Sequence, residues 1–124
     1  MSEAWIKCLL VGCGGAVGAM GRYLIGLIPI GKQDGFPIKT LAINVIGAFV
    51  IGWITVLAEK YDMPPLLVLA LKTGVCGGFT TFSTFALETN QLMQGGSYGL
   101  AAAYVLASVV LSVGAVCLVQ LLAH

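Results

Sequence analysis

No Lys, Arg, Asp or Glu occurs between Thr40 and Ala58, or from Thr89 to the final His124, and both runs are dominated by apolar side chains. A charge within lipid carries an insertion cost of about 2.5–3.5 kcal/mol, and a helix needs about 20 apolar residues to cross a bilayer. Each run therefore reads as a membrane crossing. The second is long enough to begin after the Gly95-Gly96-Ser97 breaker, so the last span is expected at about 98–122. Two further apolar stretches complete the set. One runs through 4–28 and stops at Pro29, with Lys7 near its start and Arg22 well inside. The other runs through 65–93, opens on Pro64-Pro65 and contains Lys72 and Glu88. With 38–59 this gives a single all-α domain of four transmembrane helices covering 1–124, the connections being short. The chain is 59% apolar and 9% charged, against roughly 45–50% and 25% for a soluble domain. No length remains for a soluble domain, and a net charge of +1 offers too little basic surface for nucleic acid. The first span has no A-x-A-like cleavage site and is expected to stay on the protein.

Seventeen glycines, about twice the usual share, suit helices that pack backbone to backbone. Three fall in Gly74-Val75-Cys76-Gly77-Gly78, ahead of Phe79-Thr80-Thr81. That composition favours unwinding, so the third span is expected as two half-helices with a break at 74–80. Unwound backbone at membrane depth must be buried in protein or line a wet cavity, which makes the break a pointer to a site. Cys8, Cys13, Cys76 and Cys117 lie in apolar stretches with no CxxC pair and read as buried thiols.

With four spans, Lys7 and Lys60 lie on one side and Lys32 and Lys39 on the other. Two against two gives no positive-inside bias. A chain without bias is able to insert both ways, and two copies in opposite orientations can pair about an axis in the membrane plane. A single topology fixed by some feature outside this count is the alternative.

Ionisable residues within the bilayer are functional candidates. Lys72 lies about two turns from Pro65 and is able to snorkel to the interface. For Arg22, snorkelling, attraction of an anion and pairing with Glu88 remain open, and for Glu88 a helix-end ion pair or hydrogen bond stands beside a transport role. Asn44 sits centrally in the second span, with Thr40 one turn earlier and Gly47 close by; an amide there needs a partner, which a neighbouring helix could supply. Tyr104, Ser108 and Ser112 recur at i, i+4 and i+8 on the fourth span and form a polar stripe. The densest cluster is Thr80-Thr81-Phe82-Ser83-Thr84-Phe85, in which Phe82 and Phe85 share a helix face. Rings at that spacing suit a core. With hydroxyl donors beside them, aromatic edges of partial positive charge and a half-helix amino terminus also suit a small anion.

Gly14-Gly15-Ala16-Val17-Gly18-Ala19 with Arg22-Tyr23, Thr40-Leu41-Ala42-Ile43-Asn44-Val45-Ile46-Gly47, and the run from Gly74 to Phe85 together resemble the small fluoride channels of the Fluc/CrcB family. The resemblance spans all four helices. It implies an antiparallel dual-topology homodimer in the cell inner (plasma) membrane that passively exports fluoride and so protects a microbe from it. It further implies that the ring edges of Phe82 and Phe85 contact fluoride and that Asn44 donates its amide. Thr81, Ser83 and Thr84 would form a hydroxyl track, with Tyr104 and Ser112 as further lining and Arg22 in the vestibule. A structural sodium ion at the dimer interface would be held by main-chain carbonyls of Gly77 and Thr80 from both chains. The rivals are a proton-coupled exporter of the small multidrug type, which needs a carboxylate in the middle of its first helix where this chain has Arg22, and a non-transporting accessory subunit. With His124 as the sole histidine and no nucleophile–base pair, an enzyme is not expected.

Overall fold

A computed structural model describes residues 2–31 and 35–123, all of whose regular structure is helical. Lys32, counted above for orientation, and His124 lie outside the described residues. Helix α1 spans Ser2–Gly26 and α2 spans Ile38–Lys60, the latter opening directly after Pro37. Pro65 occupies the first turn of α3, Pro65–Leu69, where a missing N–H costs nothing. The chain continues as a π-helical segment, Ala70–Cys76, and a short α4, Gly77–Phe79. After two extended residues, α5 covers Phe82–Gln94. Gly96, at φ +83°, makes the turn into α6, Tyr98–Ala123. Four stretches, Ser2–Gly26, Ile38–Lys60, Pro65–Gln94 and Tyr98–Ala123, are long and apolar enough to cross a membrane.

The glycine-rich stretch differs from the expected unwinding over 74–80. Residues 74–79 remain helical, and the backbone leaves the helix only at Thr80 (ψ 159°) and Thr81 (φ −147°, ψ 121°). The reason is packing. Helix α1 lies against the π-helical segment and α4, and a Cβ at Gly18 would strike the Val75 carbonyl and come within 2.7 Å of the Phe79 nitrogen. A Cβ at Gly78 would strike the Gly15 carbonyl, 2.8 Å from the Gly15 Cα. These glycines are bare because two helix backbones touch there. Gly18→Ala and Gly78→Ala are accordingly expected to lower the thermal stability of the detergent-solubilised protein by about 1–3 kcal/mol or more, whereas Gly12→Ala, with nothing within 4 Å of the new carbon, leaves it unchanged or raised. Equal melting temperatures for all three would contradict this contact.

The second seam runs between α2 and α6, where Gly52 meets Val119, a side chain with no exposed surface. Around it are buried Leu41, Ile43, Val56, Ala101, Tyr104 and Ala115. Most large apolar side chains point outward instead, Trp5 on α1 and Leu121 on α6 among them. The cysteines follow the same division: Cys76 is buried, but Cys8, Cys13 and Cys117 are exposed on the single chain. An apolar neighbourhood in a membrane helix does not separate an interior face from an outward one, and the expectation of four buried thiols fails for that reason.

Candidate functional site

The interruption between α4 and α5 is held from three directions. Both the amide N–H and the hydroxyl of Thr80 donate to the Cys76 carbonyl, at 3.1 and 3.0 Å, which closes the last helical turn. The carboxamide of Asn44, on α2, then pairs with the extended backbone of Thr81. Its Oδ1 accepts from the Thr81 N–H at 2.8 Å and its Nδ2 donates to the Thr81 carbonyl at 3.0 Å. Asn44 thereby takes the N–H that a continuing helix would have aimed at the Gly77 carbonyl, four residues back. One Nδ2 hydrogen satisfies Thr81 and the second stays available. The Thr81 hydroxyl caps α5, accepting from the Thr84 N–H at 3.3 Å and donating to the Thr84 hydroxyl at 3.1 Å.

Arg22 supplies the third support. Its Nε donates to the Gly78 carbonyl at 3.2 Å, a carbonyl within α4, two residues ahead of the extended Thr80. Arg22 does not pair with Glu88; among the described residues the ion pair is Glu3 with Lys7. Glu88 instead joins three helices, accepting from the Thr40 hydroxyl at 3.1 Å and the Tyr104 hydroxyl at 2.9 Å. Arg22, Thr40, Thr81, Thr84 and Glu88 share the lining of one cavity of about 330 Å³.

On the other side of Thr81 lies a groove of about 400 Å³, lined among others by Asn44, Thr80, Phe82, Phe85, Ser108 and Ser112. Phe82 and Phe85 have ring centroids 5.5 Å apart, Phe85 and Tyr104 5.1 Å, and Tyr104 and Phe36 5.6 Å. This aromatic ladder runs from the groove into the interior, with Tyr104 fully buried and Phe82 78% exposed. The Ser108 hydroxyl is buried and has no hydrogen-bond partner among the described residues.

The residues singled out from the sequence thus divide. Asn44, Thr80, Thr81, Phe82, Phe85 and Ser112 meet at the groove, with Gly77 also in its wall. Thr84 and Arg22 face the second cavity. The Tyr104 hydroxyl is committed to Glu88. Ser83 is exposed and lines neither cavity, because α5 turns it away from the face that carries Phe85. Sequence reading allowed a hydrogen bond at Glu88 but missed its partners, Thr40 and Tyr104, and it missed the Arg22 contact with Gly78. The only signal for the first was polar residues recurring in three apolar spans, and for the second there was none.

Four apolar helices with hydroxyls, a carboxamide and ring edges set into their interior define a multi-pass membrane protein with a polar lining. The chain belongs to the CrcB family: the family model described as "CrcB-like protein, Camphor Resistance (CrcB)" matches residues 9–120. Among curated relatives, it is 47% identical over 114 residues to "Fluoride-specific ion channel FluC" of Nitrobacter winogradskyi, covering 90% of each chain. It is 44% identical over 113 residues to the protein of that name from Agrobacterium fabrum, again covering 90% of each. To that of Chlorobaculum tepidum it is 46% identical over 111 residues, or 89% of this chain and 86% of the relative.

Proposed function

We propose that this chain is a fluoride-selective channel that passively exports the ion across the cell membrane. The observation that carries the reading is the Asn44–Thr81 pair. It holds a helix interruption in place and leaves a carboxamide hydrogen on the same groove as the Phe82 and Phe85 rings and the Ser108 hydroxyl, which has no partner among the described residues. Fluoride is small and strongly hydrated, so a selective path must offer substitute donors in a narrow space without binding too tightly for release. The curated relatives' names agree with this chemistry.

The working unit is an antiparallel dual-topology homodimer. A groove open on the single chain, a Phe82 ring 78% exposed and the balanced Lys count support a second copy as its cover. In this arrangement the interruption at Thr80 and Thr81 lies within the membrane, since Pro65–Gln94 is long and apolar enough to cross it. A structural sodium ion fits the same segment: the Gly77 carbonyl has lost its helical donor to Asn44, and the extended Thr80 turns its own carbonyl off the helix axis. Those two carbonyls from each chain would hold the ion, which supplies positive charge at the dimer centre. Arg22 braces the Gly78 carbonyl from the vestibule side.

The test is efflux from liposomes containing the purified dimer, followed with a fluoride electrode while a potassium ionophore balances charge. Fluoride release with chloride retained is the expected result. A folded dimer that releases neither ion would end this reading in favour of an accessory subunit, and release only under a proton gradient would favour a coupled exporter.

A further inference from the structure

Lys72 is the one intramembrane charge that neither the fold nor the proposed pathway uses. Among the described residues it makes no ion pair, although its surroundings are specific. It lines the groove that holds Asn44, Thr80, Phe82 and Ser112. It also lines an outer cavity of about 440 Å³, formed by Met63, Pro65, Val68, Leu69 and Thr73 at the connection between α2 and α3. Lys72 therefore stands where the outer cavity gives way to the groove. The π-helical stretch contributes to this placement, because i→i+5 bonding over Ala70–Cys76 brings residues five apart into register, and Lys72, Cys76 and Gly77 all face the groove.

The end of α2 and the connection into α3, outside Lys72, carry Glu59 and Asp62 against Lys60, a balance that does not favour anions. The groove itself has donors but no full positive charge other than Lys72. A charge between low-dielectric walls is felt farther than one in open water and raises the local concentration of its counter-ion. We propose that the Lys72 ammonium is the anion-collecting charge at this mouth of the groove, drawing fluoride from the outer cavity toward the Asn44 and Ser108 donors. In an antiparallel pair each membrane face would have one such mouth. This inference rests on the fluoride-channel reading.

The experiment records single-channel fluoride conductance of the wild-type protein, Lys72→Gln and Lys72→Arg in planar bilayers, at ionic strengths of about 0.01 M and 1 M, where the screening length falls from roughly 30 to 3 Å. Lys72→Gln is expected to lower conductance about three- to tenfold at low ionic strength and by less than about 1.5-fold at high. Lys72→Arg, which keeps the charge, should track the wild type at both. A loss in Lys72→Gln that is the same at both ionic strengths, or that Lys72→Arg shares, would assign Lys72 a packing role and overturn the proposal. Wild-type conductance at low fluoride should also fall as an impermeant salt is added; insensitivity to that salt overturns the proposal even if no variant assembles. Absence of wild-type fluoride current would instead reject the channel reading itself.

Discussion

Asn44→Ala is expected to reduce fluoride flux by about 100-fold or more, the largest loss from any single truncation at the groove. Alanine removes both hydrogen bonds to Thr81 and leaves a half-buried N–H and carbonyl without partners, at about 1–3 kcal/mol each. The freed Thr81 N–H can then turn back to the Gly77 carbonyl and extend α4, which dissolves the geometry of the interruption. A loss of about 100-fold corresponds to roughly 2.7 kcal/mol, within what those two groups supply. Asn44→Asp should be at least as damaging. It keeps an acceptor for the Thr81 N–H but sets a second carboxylate oxygen against the Thr81 carbonyl, now 3.0 Å from a donor, and adds negative charge on an anion's path. Efflux by fluoride electrode and size-exclusion chromatography of the same samples check both variants. Flux within twofold of wild type in Asn44→Ala would sink the role given to this pair.

The second large effect belongs to the rings. Isoleucine keeps apolar bulk but has no aromatic edge, so Phe82→Ile and Phe85→Ile are each expected to lower flux roughly tenfold, the scale of an aromatic electrostatic contact. Their effects on stability should separate. Phe82 is mostly exposed on the single chain and touches Phe85 at one edge of the ladder, so its replacement leaves chain packing intact. Phe85 lies between Phe82 and Tyr104, and its replacement opens space against a buried ring, costing about 1–2 kcal/mol. Thermal melts beside flux measurements distinguish the two, and unchanged flux in both variants would remove ring edges from the mechanism.

The four helices were legible because lipid excludes charge: the charge-free runs Thr40–Ala58 and Thr89–His124 take in most of α2 and the whole of α6. The punctuation was equally direct, since Pro65 and Gly96 act through their own backbone restrictions. The position of the interruption was legible only to its neighbourhood. Glycine content pointed at 74–80, but Gly74 and Gly78 are where α1 presses its backbone in, and contact kept them helical. What moved the interruption to Thr80–Thr81 is a partner on another helix, Asn44, which was visible as a costly buried amide but not as the mate of a particular peptide. Contacts across long sequence separations, such as Arg22 with Gly78 and Thr40 with Glu88, follow from helix docking and leave no local pattern. Ser83 shows the converse. It belongs to the hydroxyl cluster by adjacency, and helix phase takes it out of the groove.

The central claim is that the groove beside the Asn44–Thr81 pair passes fluoride and excludes larger halides. A bi-ionic measurement tests it most directly: one reconstituted dimer preparation, fluoride on one side of a planar bilayer and an equal concentration of chloride on the other, with no pH gradient. The account predicts current carried by fluoride alone, with a reversal potential driven far toward that of fluoride. A reversal potential near zero, which signals equal passage of both ions, would contradict it.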